Sequence, residues 1–533
     1  MMWKIKVILN QIIKYTLIMY LQKFFKTKYN LNLNYVTEYW NKQNTVEKKY
    51  DKIILVECME ELNVNWNTTY SFVPMLSKFY NAKVIALTSY SSYKETVKFI
   101  SFFHKIDKIE PVYRVFDIKV KIQSFLILLK NMPFIYNSEY GFKIVVDNVD
   151  IGDLVYDEYL RIAKVETCKT TTFLFHLMTY NAIYQYLRYC DIVNRNCITD
   201  IVALRDTYSH SSFYRTKSNI TIWKNIMTPS RVIIGKLESN KKFNYKPQYF
   251  QKKHLEYIKN KYTKNEIISI YNEIIDLRNR GKVKNSIDHR EMALAHSNHD
   301  IETLEDFEKY YKVDKNKKTV VVYCHVFVDA VRYEHQPIFS DYYVWLTETI
   351  QFLVDNKNVN ILVKPHPSEV LYNLGKTAKD VIIEFNNIHN TNIIFLEKKI
   401  NVNIIYDISD IIITGSGTIG VEAPCLGHKV ITAGSTMYEN TDATFRSYSQ
   451  EEYFKLIKNF EKLPNLTEIQ KFNSMIGFIW INKLIYVQSN LYSSLDNEKT
   501  IEEKGRFLNN IYKNATEDDS LELFERIQND SFN

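Results

Sequence analysis

The stretch 410-DIIITGSGTIGVEAPCLGHKVITAG-434 decides the fold. Ile411-Ile412-Ile413 is a short β-branched run, the pattern of a strand covered on both faces in a parallel sheet. Thr414-Gly415-Ser416-Gly417 turns the chain, and Thr418 to Leu426 has helical character. Gly427 stands where a helix commonly ends on a left-handed residue, and Lys429 to Thr432 begins the next strand. The chain has 12 glycines in 533 residues, and five of them (Gly415, Gly417, Gly420, Gly427, Gly434) fall in this window. Glycine costs backbone entropy, so a glycine-poor chain keeps it where a side chain is not tolerated. Amides at the open end of a helix, with the helix dipole behind them, attract anions. The stretch predicts a phosphate site; the competing reading is a tight turn with no ligand.

A second chemical element lies upstream, at Lys364-Pro365-His366-Pro367-Ser368-Glu369. Proline lacks a ladder donor and forces its predecessor into extended geometry, so this segment ends a strand (359–363) and fixes His366 at its carboxyl edge. In a parallel sheet that edge is where ligands bind. An imidazole held there can donate to a phosphate oxygen, and Lys364 adds charge.

Outward from these two elements the chain organises into two α/β lobes. Residues 1–48 read as an N-terminal amphipathic helical segment. The apolar runs of 1–28 are too short to span a membrane, so its basic helix either lies on an anionic inner leaflet or packs on its own domain. Residues 49–235 form a first lobe, opening with the strand 53–56, a helix over 69–80 and a strand over 82–87. Glu57 and Glu60 fall in the loop expected after the first strand, where a carboxylate could act as general base; the competing reading is a solvated acidic loop. Residues 236–317 read as a helical connection and 318–449 as the second lobe. The loop after its first strand, Thr319 to Cys324, holds His325 and Asp329. Residues 450–533 form a helical tail.

Composition bounds the function class. Hydrophobic residues make up 46% and charged residues 24%, as in a folded soluble protein. The net charge of +8 comes from scattered lysines, which suits acidic ligands or a membrane surface better than nucleic acid. Six cysteines without a C-x-x-C pair suggest a reduced, cytoplasmic protein. No D-x-D motif stands beside a strand end, so no obligatory metal or other cofactor is expected.

The run K-P-H-P-S-E (364–369), followed by T-G-S-G-T-I-G-V-E-A-P-x-L-G-x-K-V-I (414–431), resembles the nucleotide-binding half of GT-B fold glycosyltransferases. More narrowly it resembles the bacterial capsular and surface-polysaccharide biosynthesis group, as do 151–161, 324–330 and 341–349. The resemblance implies two Rossmann-like lobes with a cleft between them. It further implies that Ser416, Gly417, Thr418 and Gly420 hold the donor phosphates, with His325 and Lys364 beside them. Glu422 would bind the ribose, and His366 would contact the phosphate as a catalytic group, with Glu57, Glu60 or Asp329 as base. The partners implied are a nucleotide sugar, UDP- or CMP-activated, and a glycan or lipid-linked glycan acceptor, with peripheral contact at the inner membrane.

Three other activities fit less well. UDP-N-acetylglucosamine 2-epimerases share a related motif, but Val421 stands where the first of their paired glutamates would be. A teichoic-type polymerase would transfer glycerol or ribitol phosphate from a CDP donor. A subunit that binds a nucleotide sugar without turnover would use the same site.

Overall fold

The computed structural model describes residues 31–42, 52–59, 70–89, 93–114, 117–136, 143–169, 172–203, 220–228, 231–238, 249–279, 299–330, 332, 338–356, 358–372, 374–485, 491, 500–516 and 518–520. Glu60 and the basic segment 1–28 lie outside them. The chain divides into two compact units. One comprises Met1–Tyr159, Lys169–Pro247 and Tyr486–Asn533, the other Leu160–Cys168 and Gln248–Ile485.

The first unit is built on strands β1 (Ile53–Cys58), β2 (Lys83–Thr88), β3 (Lys108–Pro111), β6 (Asp200–Ala203), β7 (Thr221–Thr228) and β8 (Arg231–Glu238). A two-stranded ribbon, β4 (Val145–Val146) and β5 (Val149–Asp150), stands apart from them. The order in the sheet is β3-β2-β1-β6-β7-β8, parallel except for the antiparallel β7–β8 hairpin. Taken in chain order this is the 3-2-1-4-5-6 arrangement of dinucleotide-binding folds. Ile54 and Val56 pack into one layer and Leu55 into the other, so both faces are covered. The hairpin was not expected from sequence. Glu57 is also placed differently: it is the fifth residue of β1, not a loop residue, and is 1% exposed.

The second unit repeats the same order with β9 (Thr319–Tyr323), β10 (Asn360–Lys364), β11 (Ile394–Phe395), β12 (Ile411–Thr414), β13 (Val430–Ala433) and β14 (Phe445–Ser447). The sheet runs β11-β10-β9-β12-β13-β14, and every pairing is parallel. Val320, Val322, Ile361, Val363, Ile411 and Ile413 bury one face beneath the helices Tyr342–Asn356, Ala378–His389 and Gln450–Lys458. Val321 and Leu362 bury the other beneath Leu304–Tyr311 and Val402–Ile408. Each such aliphatic side chain contributes about 1.5–3 kcal/mol by leaving water. The fold is thus α/β with two Rossmann-like units, and helices follow the second sheet. Among the described residues no helix is long and apolar enough to cross a membrane.

Candidate functional site

In the second unit the strand order reverses between β9 and β12, and the loops leaving those strands diverge there. Open α/β sheets bind ligands at this switch point. Register places Lys364, Tyr323 and Thr414 abreast at the carboxyl ends of β10, β9 and β12. Two inter-strand spacings separate Lys364 from Thr414, about 10 Å.

The switch point is bridged by His325, the second residue after β9. Its Nε2 accepts the Ser416 amide at 3.1 Å, which puts the proton of the neutral ring on Nδ1. The Thr414 hydroxyl lies 3.3 Å from the same nitrogen and accepts the Gly417 amide at 3.2 Å. The imidazole is buried and stacked on Tyr342, with ring centroids 4.0 Å apart and planes 7° from parallel. The Tyr342 hydroxyl in turn meets Ser416 Oγ at 3.0 Å. The Ser416 and Gly417 amides, expected to face a phosphate, are therefore satisfied within the chain.

The same packing explains the glycines. A Cβ on Gly415 would lie 3.1 Å from both His325 Nε2 and Tyr342 Cε1, and one on Gly417 would lie 2.9 Å from Thr414 Oγ1. On Gly420 it would fall 2.1 Å from the Tyr438 hydroxyl, which donates to the Gly417 carbonyl at 2.6 Å. Gly427 adopts φ +93°, the left-handed residue that ends the short helix Ile419–Cys425. Tyr342 and Tyr438 are the groups that sequence reasoning missed. Tyr342 sits inside a quoted motif, but no local pattern marks Tyr438.

At the neighbouring edge His366 caps the 3-10 turn Pro367–Leu371, its Nδ1 accepting the Ser368 amide at 3.2 Å. The neutral ring then carries its proton on Nε2, a donor. Glu369 is buried and accepts the Ala378 amide at 2.8 Å, and burial raises its carboxyl above the usual range. Lys364 has no ion pair among the described residues, and burial lowers its ammonium to about 8. Glu422 is half-buried; burial raises the phenols of Tyr323, Tyr406 and Tyr438, and the Glu422 charge adds to that shift. Thr418 precedes the helix that carries Glu422.

Asp329 is 41% exposed and lies 4.0 Å from Arg161, whose guanidinium covers the Tyr372 ring at 4.3 Å. Thr167 donates to the buried Asp341 at 2.6 Å, and Asp341 caps the helix Tyr342–Asn356 through the Val344 amide. The Arg161–Asp329 and His325–Tyr342 contacts thus join residues drawn from three motifs far apart in sequence. Among the described residues no three His, Cys, Asp or Glu side chains cluster closely enough to hold a metal ion.

Residues 237–454 match the family model of capsule polysaccharide biosynthesis proteins, in agreement with the resemblance carried by the motifs. No curated protein matches the chain. Among solved structures, KpsC of Thermosulfurimonas dismutans, a beta Kdo 2,4 transferase, is 15% identical, covering 50% of this chain and 79% of that one, with a TM-score of 0.29. A UDP-GlcNAc 2-epimerase from Neisseria meningitidis is 10% identical over 82% of this chain and 98% of its own, at TM-score 0.26. A glycosyltransferase from Rickettsia africae is 12% identical over 90% and 99%, at TM-score 0.24. At these scores the three likenesses carry no argument about activity.

Proposed function

We propose that this chain, matched over 237–454 by the capsule polysaccharide biosynthesis model, is a glycosyltransferase that takes a sugar from a nucleotide donor to a surface glycan. The observation that carries the reading is Lys364: a partly buried cation with no ion pair among the described residues, at a strand end beside His366 and near the switch point of a dinucleotide-type sheet. A buried charge is costly unless a counter-charge meets it, and a donor phosphate supplies one.

In this reading the donor phosphate lies over Lys364 and the Nε2–H of His366. Glu422 accepts from the ribose hydroxyls. The bond from the anomeric carbon to the phosphate oxygen breaks as the acceptor oxygen attacks, and negative charge grows on the departing nucleotide. Lys364 and His366 oppose that charge where water is scarce. Asp329 takes the acceptor proton, Arg161 holding its carboxylate in place. Ser416, Gly417 and Gly420 shape the turn, and His325 fixes it without touching the donor.

Incubation of the purified protein with UDP- and CMP-sugars, followed by assay of nucleotide release, tests the reading. Release of UDP or CMP that Lys364→Met abolishes is expected. Release of CMP from CDP-glycerol alone would reassign the reaction to phosphate-polymer synthesis. Tight binding without release from any donor would leave a binding subunit.

A further inference from the structure

Helix Ile118–Tyr136 of the first unit carries apolar side chains on two faces. Ser124, Leu128, Asn131 and Ile135 are buried, while Ile118, Ile122, Phe125, Leu126 and Leu129 are 45–64% exposed. Their spacing puts the five apolar side chains on one stripe. The enclosed polar pair is satisfied locally: Ser124 Oγ donates to the Val120 carbonyl at 2.7 Å. Asn131 bonds both the amide and the carbonyl of Val145, at 2.8 and 3.0 Å. The opposite side is anchored to the antiparallel helix Phe173–Arg195. Arg188 pairs with Asp117 at 3.3 Å, and the Tyr180 hydroxyl reaches the Lys121 carbonyl at 3.5 Å. The helix cannot turn its apolar stripe inward.

We propose that this stripe is a membrane-docking face that rests on an anionic lipid bilayer, and this inference stands apart from the transferase reading. Charge decides the occupant. Between 118 and 136 the sequence has Lys119, Lys121 and Lys130 and no Asp or Glu. Lys119 and Lys130 are exposed beside the stripe. Phe and Leu on one side with lysines at the margin is the composition of a helix lying in the lipid interface, whereas lysine is depleted from the centres of protein interfaces. The chain's surplus of +8 adds attraction to an anionic leaflet. A 19-residue helix laid flat offers about 28 Å of contact.

The test is flotation of the full chain with vesicles of phosphatidylglycerol and phosphatidylethanolamine, against vesicles of phosphatidylcholine alone. The wild type should float with the anionic vesicles. Ile122→Gln with Leu126→Gln should lower partitioning about tenfold or more, at an unchanged melting temperature because both side chains are exposed. Lys119→Gln with Lys130→Gln should remove the preference for anionic lipid. A Leu126→Cys protein labelled with a polarity-sensitive dye should shift to the blue on vesicle addition, a readout that does not depend on the stability of the paired variant. A wild type that stays in solution overturns the proposal. So does an Ile122/Leu126 variant that floats as well as the wild type, since the contact would then lie elsewhere, for example in 1–28. Self-association without lipid that this variant abolishes would assign the face to a second copy and also overturn it.

Discussion

His325 and Ser416, 91 positions apart, are joined by one hydrogen bond of 3.1 Å from amide to imidazole, and that bond spans the point where the strand order of the second sheet reverses. His325→Ala would leave the buried Ser416 amide without an acceptor and would strip Tyr342 of its stacking partner. Losing a buried bond and an aromatic contact together costs about 2–4 kcal/mol. Urea denaturation should show that loss. A change below about 0.5 kcal/mol would mean that the turn is held by something other than this bond.

The glycines of the turn should rank by what their missing Cβ would strike. Gly420→Ala drives a methyl to 2.1 Å from the Tyr438 hydroxyl, far inside contact distance, so soluble yield should collapse. Gly415→Ala meets atoms at 3.1 Å and asks only a few tenths of an ångström of His325 and Tyr342. It should fold with a cost of about 1–2 kcal/mol. Equal yields for the two variants would contradict the packing described here.

The central strands of both sheets were legible because parallel strands buried on two faces read as apolar β-branched runs. The site was legible only in part. The five-glycine window marks the turn after β12 correctly, but the same signal arises whether glycine admits a phosphate or a neighbouring ring. Here His325, Tyr342 and Tyr438 fill that space, and they come from positions that no local pattern links to Gly415. Glu57 was read into a loop because a carboxylate inside a strand is rare, yet it lies in β1 with its side chain enclosed. The β7–β8 hairpin escaped notice because Lys224, Asn225 and Lys236 break the apolar pattern of its strands.

Glu422 should report on donor affinity more than on turnover. Its carboxylate stands one helical turn past the strand-end loop and already acts on three buried phenols. Glu422→Gln keeps the volume and removes the charge. The donor KM should rise about tenfold while kcat stays within about threefold, the pattern of an interaction made equally in ground and transition states. An unchanged KM would take Glu422 out of the ribose role.

Lys364 sets stability against function, and pH separates the two. Its folded value, about 8, lies below the ordinary 10.5, so the folded state binds this proton less tightly than the unfolded chain. Below about pH 8 both states are protonated and the burial penalty is fully present. Between about 8 and 10.5 the folded group loses its proton first, and stability rises with pH by this term. Lys364→Met removes the penalty, so at pH 7 the variant should be more stable than the wild type by about 2 kcal/mol, and the rise above pH 8 should vanish. Nucleotide binding should run the other way: wild-type affinity falls as pH passes about 8, and the methionine variant should bind weakly at every pH. Calorimetric titration with UDP and CMP across pH 6.5–9.5 would show it. A variant that gains stability and keeps wild-type affinity would make Lys364 an isolated, partly buried cation with no part in holding a donor.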